Sequence, residues 1–148
     1  MKKIVQLFNT ALAWLGRLAA RVTGLKEADV TQFIKYGCVG VLNTAVMWVG
    51  TFVAHFFGAG DTLAMAVGFI AGVFTSYFLN KNWTFGATGG WVRFLKFVVL
   101  NVIGLGLTTL ISFIPNNFIA VKLVISTVVI IVWNYGGMRL FVFREKKT

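Results

Sequence analysis

A lysine inside an apolar run is the residue of this chain best suited to chemistry on a charged ligand. Lys122 follows Phe118-Ile119-Ala120-Val121 and precedes Leu123-Val124-Ile125. At about 1.5 Å of rise per helical residue it lies several ångströms into a membrane span. Ionisable groups at such depth are costly and mark pathways for polar substrates. Its ammonium either snorkels outward to the headgroups or meets the phosphate of an anionic lipid. Ser126 and Trp133 share its helical face and extend a path along the span. At the far ends of the apolar runs, cations sit beside aromatics: Asn80-Lys81-Asn82-Trp83, and Arg139 with Phe141 and Phe143. Lys81 and Arg139 either grip a phosphate at that membrane face or serve, with the aromatics, as interfacial anchors. Lys35 and Lys96 form a second such pair.

Amides supply the other candidate chemistry. One span carries Gly37, Gly40, Asn43 and Thr44; another carries Asn101, Gly104, Thr108 and Ser112 on one face. An unpaired amide in lipid is expensive. Asn43 and Asn101 therefore either hydrogen-bond between helices or line a polar cavity. The apolar runs contain no Asp or Glu, and the one His, His55, lies at the end of a run. No carboxylate pair, His/Cys ligand spacing, activated nucleophile or phosphate-binding glycine loop is present. This argues against an enzyme, and no catalytic residue, metal site or cofactor is expected. Cys38 is a lone thiol without companions for a disulfide or a zinc site; it reads as a small packing residue.

These residues must be positioned by long helices. The chain is 58% hydrophobic and only 12% charged, against about 25% charged in soluble domains. A single Pro in 148 residues leaves the apolar runs unbroken. Their length suits bilayer spans of roughly 20 residues, expected at Tyr36–Phe57, Leu63–Leu79, Phe97–Ile114 and Phe118–Gly137. The fold class is all-α: a polytopic membrane protein of four transmembrane helices, preceded by an interfacial amphipathic helix. Ala64, Gly68, Gly72 and Ser76 recur every four residues in the second span and let a neighbouring backbone approach closely.

The four spans are one hairpin written twice. Phe33-Ile34-Lys35-Tyr36 opens a unit covering residues 33–85, and Phe94-Leu95-Lys96-Phe97 opens another covering 94–143. Ser76-Tyr77 through Phe85 closes the first unit, and Asn134-Tyr135 through Phe143 closes the second. Paired hairpins are a design of small transporters.

Net charge is +10, and its distribution sets the topology. Thirteen of the 14 Lys and Arg lie before Tyr36, between Lys81 and Lys96, or from Arg139 onward; only Lys122 departs from this pattern. The positive-inside rule puts both termini and the middle loop in the cytoplasm. His55, Asp61 and Pro115-Asn116-Asn117 then fall on the opposite side. Anionic headgroups account for the basic flanks, so no nucleic-acid partner is implied.

Residues 1–30 form an amphipathic helix and a linker. Arg17 and Arg21 interrupt any signal-peptide core. Ile4, Phe8, Ala11, Leu15, Leu18 and Val22 form one stripe, with Trp14 at its edge. Lys2, Lys3, Gln6, Asn9, Arg17 and Arg21 lie opposite. The pattern predicts a helix over residues 3–23 lying in the cytoplasmic interface; docking to a partner protein is the alternative. Gly24 ends it, and Lys26-Glu27-Ala28-Asp29 reads as a polar linker before the four-span domain of residues 31–148.

Over residues 31–144 the chain resembles the GtrA-like family of small membrane proteins. The resemblance rests on Phe33, Gly37-Cys38-Val39-Gly40, Leu42-Asn43-Thr44 and, most specifically, Tyr77-Phe78-Leu79-Asn80-Lys81-Asn82-Trp83-Thr84-Phe85. It continues through Ala120-Val121-Lys122-Leu123, Trp133-Asn134-Tyr135, Arg139 and Phe141-Val142-Phe143. Gly136-Gly137-Met138 departs from the bulkier family pattern and leaves Asn80 without an asparagine counterpart. The resemblance implies translocation of a polyprenyl-phosphate-linked sugar across the bacterial inner membrane, for modification of cell-surface polysaccharide. A separate membrane glycosyltransferase would make the carrier, and a homo-oligomer would enlarge the thin four-helix shell. The residues implied to meet substrate are Lys122, Asn43, Asn101, Ser126, Trp133, Asn134, Asn80, Lys81, Arg139, Lys35 and Lys96. Two rivals are a non-transporting accessory subunit that anchors the glycosyltransferase and a small multidrug exporter. The exporter would require a buried acid for a cationic substrate, which the spans lack.

Overall fold

The computed structural model describes residues 2–113 and 119–143. They form α1 (Lys2–Thr23), α2 (Glu27–Phe56), α3 (Asp61–Leu79), a first π turn (Asn80–Thr84), α4 (Trp91–Ser112), α5 (Ile119–Gly137) and a second π turn (Met138–Val142). No strand occurs among the described residues. Among the described residues, four helical stretches are long and apolar enough to cross a membrane: Glu27–Phe56, Asp61–Thr84, Trp91–Ile111 and Leu123–Val142. The all-α, four-span reading holds. The Pro115-Asn116-Asn117 turn lies outside the described residues.

The span ends fall close to expectation, but two starts do not. α4 begins at Trp91, six residues before Phe97, and α2 begins at Glu27 rather than near Tyr36. Lys26 to Asp29 is not a linker. Lys26 is the extended N-cap residue, and Glu27 and Asp29 occupy the first turn of α2, where carboxylates favour the positive end of the helix dipole. At 30 residues α2 is about 45 Å long, well beyond the roughly 30 Å of a hydrocarbon core. Its first turns are therefore free to do something other than span.

The chain divides into two compact units, Met1–Gly86 and Ala87–Thr148. In the first unit α2 and α3 pair through the small residues read from the sequence. Ala64, Gly68 and Gly72 are buried. A Cβ on Gly68 would run into the Thr51 side chain and the Met47 carbonyl, and would lie 2.9 Å from the Thr51 nitrogen; one on Gly50 would lie 3.1 Å from Gly68 Cα. Gly72 faces Asn43, whose Oδ1 would be 2.9 Å from an added Cβ.

The second unit pairs α4 with α5 by a reciprocal arrangement. Position 104 is the repeat counterpart of 43, and 130 is the counterpart of 72. Here the glycine is on the first helix: a Cβ on Gly104 would lie 2.6 Å from Ile130 Cδ1 and 3.2 Å from Trp133 Cδ1. Gly137 makes room for the Leu100 side chain, which is buried. The departure at Gly136-Gly137 thus has a packing role at its second residue.

α1 packs within the first unit and has three faces. Leu12 is buried, and Gly16 sits so close to α2 that a Cβ would strike the Thr31 side chain. Arg17 pairs with Glu27 at 3.6 Å. Gly24, at φ +70°, turns the chain from α1 into α2 in a left-handed conformation that glycine adopts without a steric cost. Leu7, Trp14, Leu18 and Val22 remain exposed. The face that meets α2 is therefore distinct from most of the apolar stripe: Leu15, Leu18 and Val22 stay exposed, while Phe8 meets the Trp83 ring.

Gly68→Val should destabilise the hairpin by about 1–3 kcal/mol or more, because two of the atoms it meets are backbone and cannot rotate away. Gly37→Ala, with nothing within 4 Å of the new Cβ, should be near neutral. Denaturant titration of both variants in detergent, read by circular dichroism, checks the contrast.

Candidate functional site

Each hairpin closes in the same unusual way. The five residues after α3 and the five after α5 wind as π turns, sealed by Phe85 N to Asn80 O at 2.9 Å and Phe143 N to Met138 O at 2.8 Å. Positions 80–85 and 138–143 are repeat counterparts, so the geometry repeats with the sequence. Single π turns are rare and frequent at functional sites.

The opening lysine of each repeat reaches the closing turn of the same repeat. Lys35 Nζ lies over the Trp83 ring, 5.8 Å from its centroid. Lys96 Nζ lies over Phe141 at 4.9 Å. Both aromatics occupy the fourth position of their π turn. Lys81 lies over Phe78, at 5.8 Å. Exposed contacts of this kind contribute about 0.5–1 kcal/mol each; their larger effect is to collect positive charge at one end of each hairpin. In the first unit the other end carries His55 and Asp61, 3.4 Å apart and well exposed.

The two π turns differ in what they bury. Asn80 and Thr84 are 1% and 6% exposed; their counterparts Met138 and Val142 are each 2% exposed. Asn80 Nδ2 donates to Ser76 O at 2.9 Å and to Ser76 Oγ at 3.2 Å. Asn80 Oδ1 and Thr84 Oγ1 have no partner among the described residues. The π geometry explains the second. In the α-helices Thr44, Thr51 and Thr127 donate to the carbonyl four residues back. The Asn80 carbonyl, four residues before Thr84, instead takes the Phe85 amide.

α1 covers the first π turn. Trp83 Nε1 donates to Asn9 Oδ1 at 2.8 Å, and Phe8 stacks on the indole with ring centroids 5.9 Å apart. Gln32 Nε2 donates to the Thr84 carbonyl at 3.3 Å. Between α1, the start of α2 and this turn lies a cleft of about 530 Å³, lined by Ala13, Glu27, Ala28, Thr31, Gln32, Lys35 and Thr84. The cleft is open to its surroundings, with Glu27 and Ala28 on its exposed rim.

The remaining candidates from the sequence fall elsewhere. Asn43 Oδ1 and Asn134 Oδ1 are buried without a partner among the described residues. They belong to different units, at the Gly72 and Gly104 crossings respectively. Asn101 Nδ2 donates to Phe97 O on its own helix at 2.8 Å. Trp133 Nε1 donates to Leu100 O at 3.0 Å, which ties its indole to α4. Ser126 is half-buried. Lys122 lies on the first turn of α5; its side chain lies outside the described residues. Arg139 is exposed on the second π turn.

Sequence reasoning missed the cleft: Lys26 to Asp29 were read as a linker, and Thr31 and Gln32 were given no role. It also missed Thr84. The signal was available in the repeat itself, which sets Asn80 against Met138 and Thr84 against Val142.

The GtrA/DPMS transmembrane domain profile matches residues 35–143. The chain belongs to this family. A multi-pass membrane protein of the GtrA/DPMS kind accounts for the four apolar helices. Among curated GtrA-like relatives, the prophage bactoprenol-linked glucose translocase homolog of Escherichia coli K12 is 37% identical over 70 residues, covering 45% of this chain and 56% of the relative. The bactoprenol-linked glucose translocases of Shigella phage SfII and Salmonella phage P22 are 37% and 36% identical over 68 and 67 residues, with the same coverage. The chain thus spans about half the length of the curated relatives it matches. No solved structure matches it. α1 and the first two turns of α2 precede the family match.

Trp83→Phe removes the donor to Asn9 while retaining the ring that stacks on Phe8. We expect a loss of about 0.5–1.5 kcal/mol and faster cleavage after Arg21 or Lys26, on either side of the Gly24 turn, as α1 loosens. Limited trypsinolysis of wild type and variant in detergent measures this.

Proposed function

We propose that this chain translocates a polyprenyl-phosphate-linked sugar across the bacterial inner membrane, for modification of cell-surface polysaccharide. The observation that carries the proposal is the pair of repeat-related cation–aromatic contacts, Lys35–Trp83 and Lys96–Phe141, on a GtrA/DPMS membrane fold. Each hairpin gathers cations where an anionic headgroup would dock. The names of the phage relatives, glucose translocases acting on a bactoprenol-linked sugar, support the same substrate class.

The physical difficulty in such a reaction is the headgroup, not the tail. The spans keep large apolar side chains outward, among them Trp48, Phe52, Phe69 and Val132, so a prenyl tail can stay in lipid throughout. The phosphate must lose water, and a cation at depth offsets part of that cost. Lys122 and Arg139 are 17 positions apart along one helix and its π turn, about 26 Å by helical rise. They are suited to the two headgroup levels of one path. Lys81 and Arg139 serve the cytoplasmic entrance, and Lys122 serves the outer exit. Ser126 and Asn134 offer polar positions between these levels in the same unit, and Asn43 is a buried polar position of the first unit.

Both termini and residues 82–93 are cytoplasmic in this reading, on the strength of the 13-to-1 partition of basic residues. α1 lies along the cytoplasmic surface, with Leu7, Trp14, Leu18 and Val22 in the headgroup region. Without a carboxylate in the apolar runs for proton coupling, transport runs downhill, driven by consumption of product outside. The chain is a non-enzymatic translocator, with a membrane glycosyltransferase and further copies of itself as partners.

Purified protein in vesicles should flip fluorescent polyprenyl-phosphate glucose. Lys122→Ala should slow flipping about tenfold, equal to ~1.4 kcal/mol of barrier, with insertion unchanged; Lys122→Arg should retain part of the rate. Wild-type flipping by Lys122→Ala would reduce Lys122 to a snorkelling anchor. Failure of the wild-type protein to flip any polyprenyl-phosphate sugar would favour the accessory-subunit reading. For topology, Thr88→Cys and Gly60→Cys in a Cys38→Ser background should label from inside and outside respectively. External labelling of Thr88→Cys in intact cells would overturn the orientation.

A further inference from the structure

One indole in the first hairpin is held from two helices. Trp83 Nε1 donates to Asn9 Oδ1 at 2.8 Å. Phe8 stacks on the ring with 24° between the planes. Lys35 Nζ lies 5.8 Å from the ring centroid. Asn9 and Phe8 belong to α1, and Lys35 belongs to α2. α1 has other fastenings further along its length: Leu12 is buried, Gly16 lies against Thr31, and Arg17 pairs with Glu27. Asn9 and Phe8 are therefore directed at the indole itself, and the indole is what the Lys35 ammonium rests on.

Distance decides how much this hold matters. A cation is attracted to a ring within about 6 Å of its centroid. Lys35 sits close to that limit, so a small swing of the indole breaks the contact. Lys96, at 4.9 Å from the Phe141 ring, has a wider margin. Phe141 occupies the same position of its own π turn, but a phenyl ring has no N–H by which to be anchored. The second unit also has no helix ahead of α4 to supply an acceptor. The hydrogen bond from Trp83 has a further effect. An acceptor on the indole N–H draws its proton outward and leaves the ring face more negative, which favours a cation above it.

A lysine that is free to rotate loses many rotamers when it grips a phosphate. An ammonium already held over a fixed ring has lost part of that freedom beforehand. Lys35 is only half-buried and lines the open cleft beneath α1, which leaves it within reach of an anion. We propose that Asn9 and Phe8 are positioning residues: they fix Trp83, and through it they hold the Lys35 ammonium ready for the phosphate of the lipid at the cytoplasmic face. The inference deepens the translocation reading above and rests on it for the identity of the anion. In the second hairpin Lys96 meets its ring without such control.

The test has two readouts on the full chain. Reductive methylation with isotope-labelled formaldehyde keeps the lysine charges and gives each lysine an NMR resonance in nanodiscs. The peaks of Lys35 and Lys96 are assigned by their loss in Lys35→Arg and Lys96→Arg. In wild type both should be displaced by the ring current of their aromatic partners. Asn9→Leu and Phe8→Ala should each return the Lys35 peak toward the position of solvated lysines and leave the Lys96 peak in place. Asn9→Gln, which keeps an amide acceptor, should return it less. A Lys35 peak that stays put in both breaking variants, or a Lys96 peak that moves with it, overturns the proposal. The second readout is flipping of fluorescent polyprenyl-phosphate glucose in vesicles across a range of lipid mole fractions. Asn9→Leu should raise the half-saturating fraction about two- to tenfold, with the maximal rate little changed. In a Lys35→Gln background it should have no further effect. An equal loss in both backgrounds would mean that Asn9 only keeps α1 docked, and the proposal falls. If wild type flips no polyprenyl-phosphate sugar, the translocation reading fails and the phosphate role of Lys35 with it, whereas the hold of α1 on Lys35 stands or falls by the resonances alone.

Discussion

The close approach of two helix backbones is the constraint on which the first hairpin depends. In lipid, apolar side chains gain little by leaving one hydrocarbon surface for another, so helices pair through van der Waals contact at short range. Gly50 and Gly68 meet with room for no further atom. That contact sets the spacing of α2 and α3 along their length and brings Lys35, near one end of α2, to the ring of Trp83 beyond the end of α3. Thr51, beside Gly68, returns its hydroxyl to its own helix.

The π turns take over where the spans end. Shifting the amide partner by one residue widens the turn and carries its side chains round to the opening residues of the same hairpin. In the first hairpin this also releases Thr84 from the back-bond that threonines make in the α-helices. α1 then closes over the turn through Asn9 and Phe8. The second hairpin ends in the same backbone with Met138 and Val142 inside, and Arg93 instead donates to the Thr88 carbonyl in the segment before α4.

The four spans, their C-terminal ends and the repeat were legible because apolar length, glycine spacing and basic flanks are local signals. The start of α2 was not. Lys26-Glu27-Ala28-Asp29 has the composition of a loop, yet acidic residues are what a first helical turn favours, and composition alone does not separate the two. Asn101 suggested a cavity or an interhelical bond, whereas its amide meets a carbonyl one turn back; i to i−4 distance makes that the nearest partner on any helix. The π turns carry no composition of their own and were invisible. Thr84 was hidden for the same reason, since its environment depends on a backbone register that the residues do not announce.

The glycines at the two crossings bear on how the hairpins diverged. Gly72 faces Asn43 in the first hairpin, while Gly104 faces Ile130 in the second, so the small partner has changed helices. From two identical halves, placing isoleucine opposite asparagine first would force two bulky groups into one space. Introducing the second glycine first leaves only a void, which a folded chain survives. For an ancestor with asparagine opposite glycine in both halves, the order of those substitutions is thereby constrained. Once both are in place, recombination between the halves of the gene yields a hairpin with either two bulky residues or two glycines at its crossing. Such exchange products would lose the match of one bulky residue with one glycine that both crossings share.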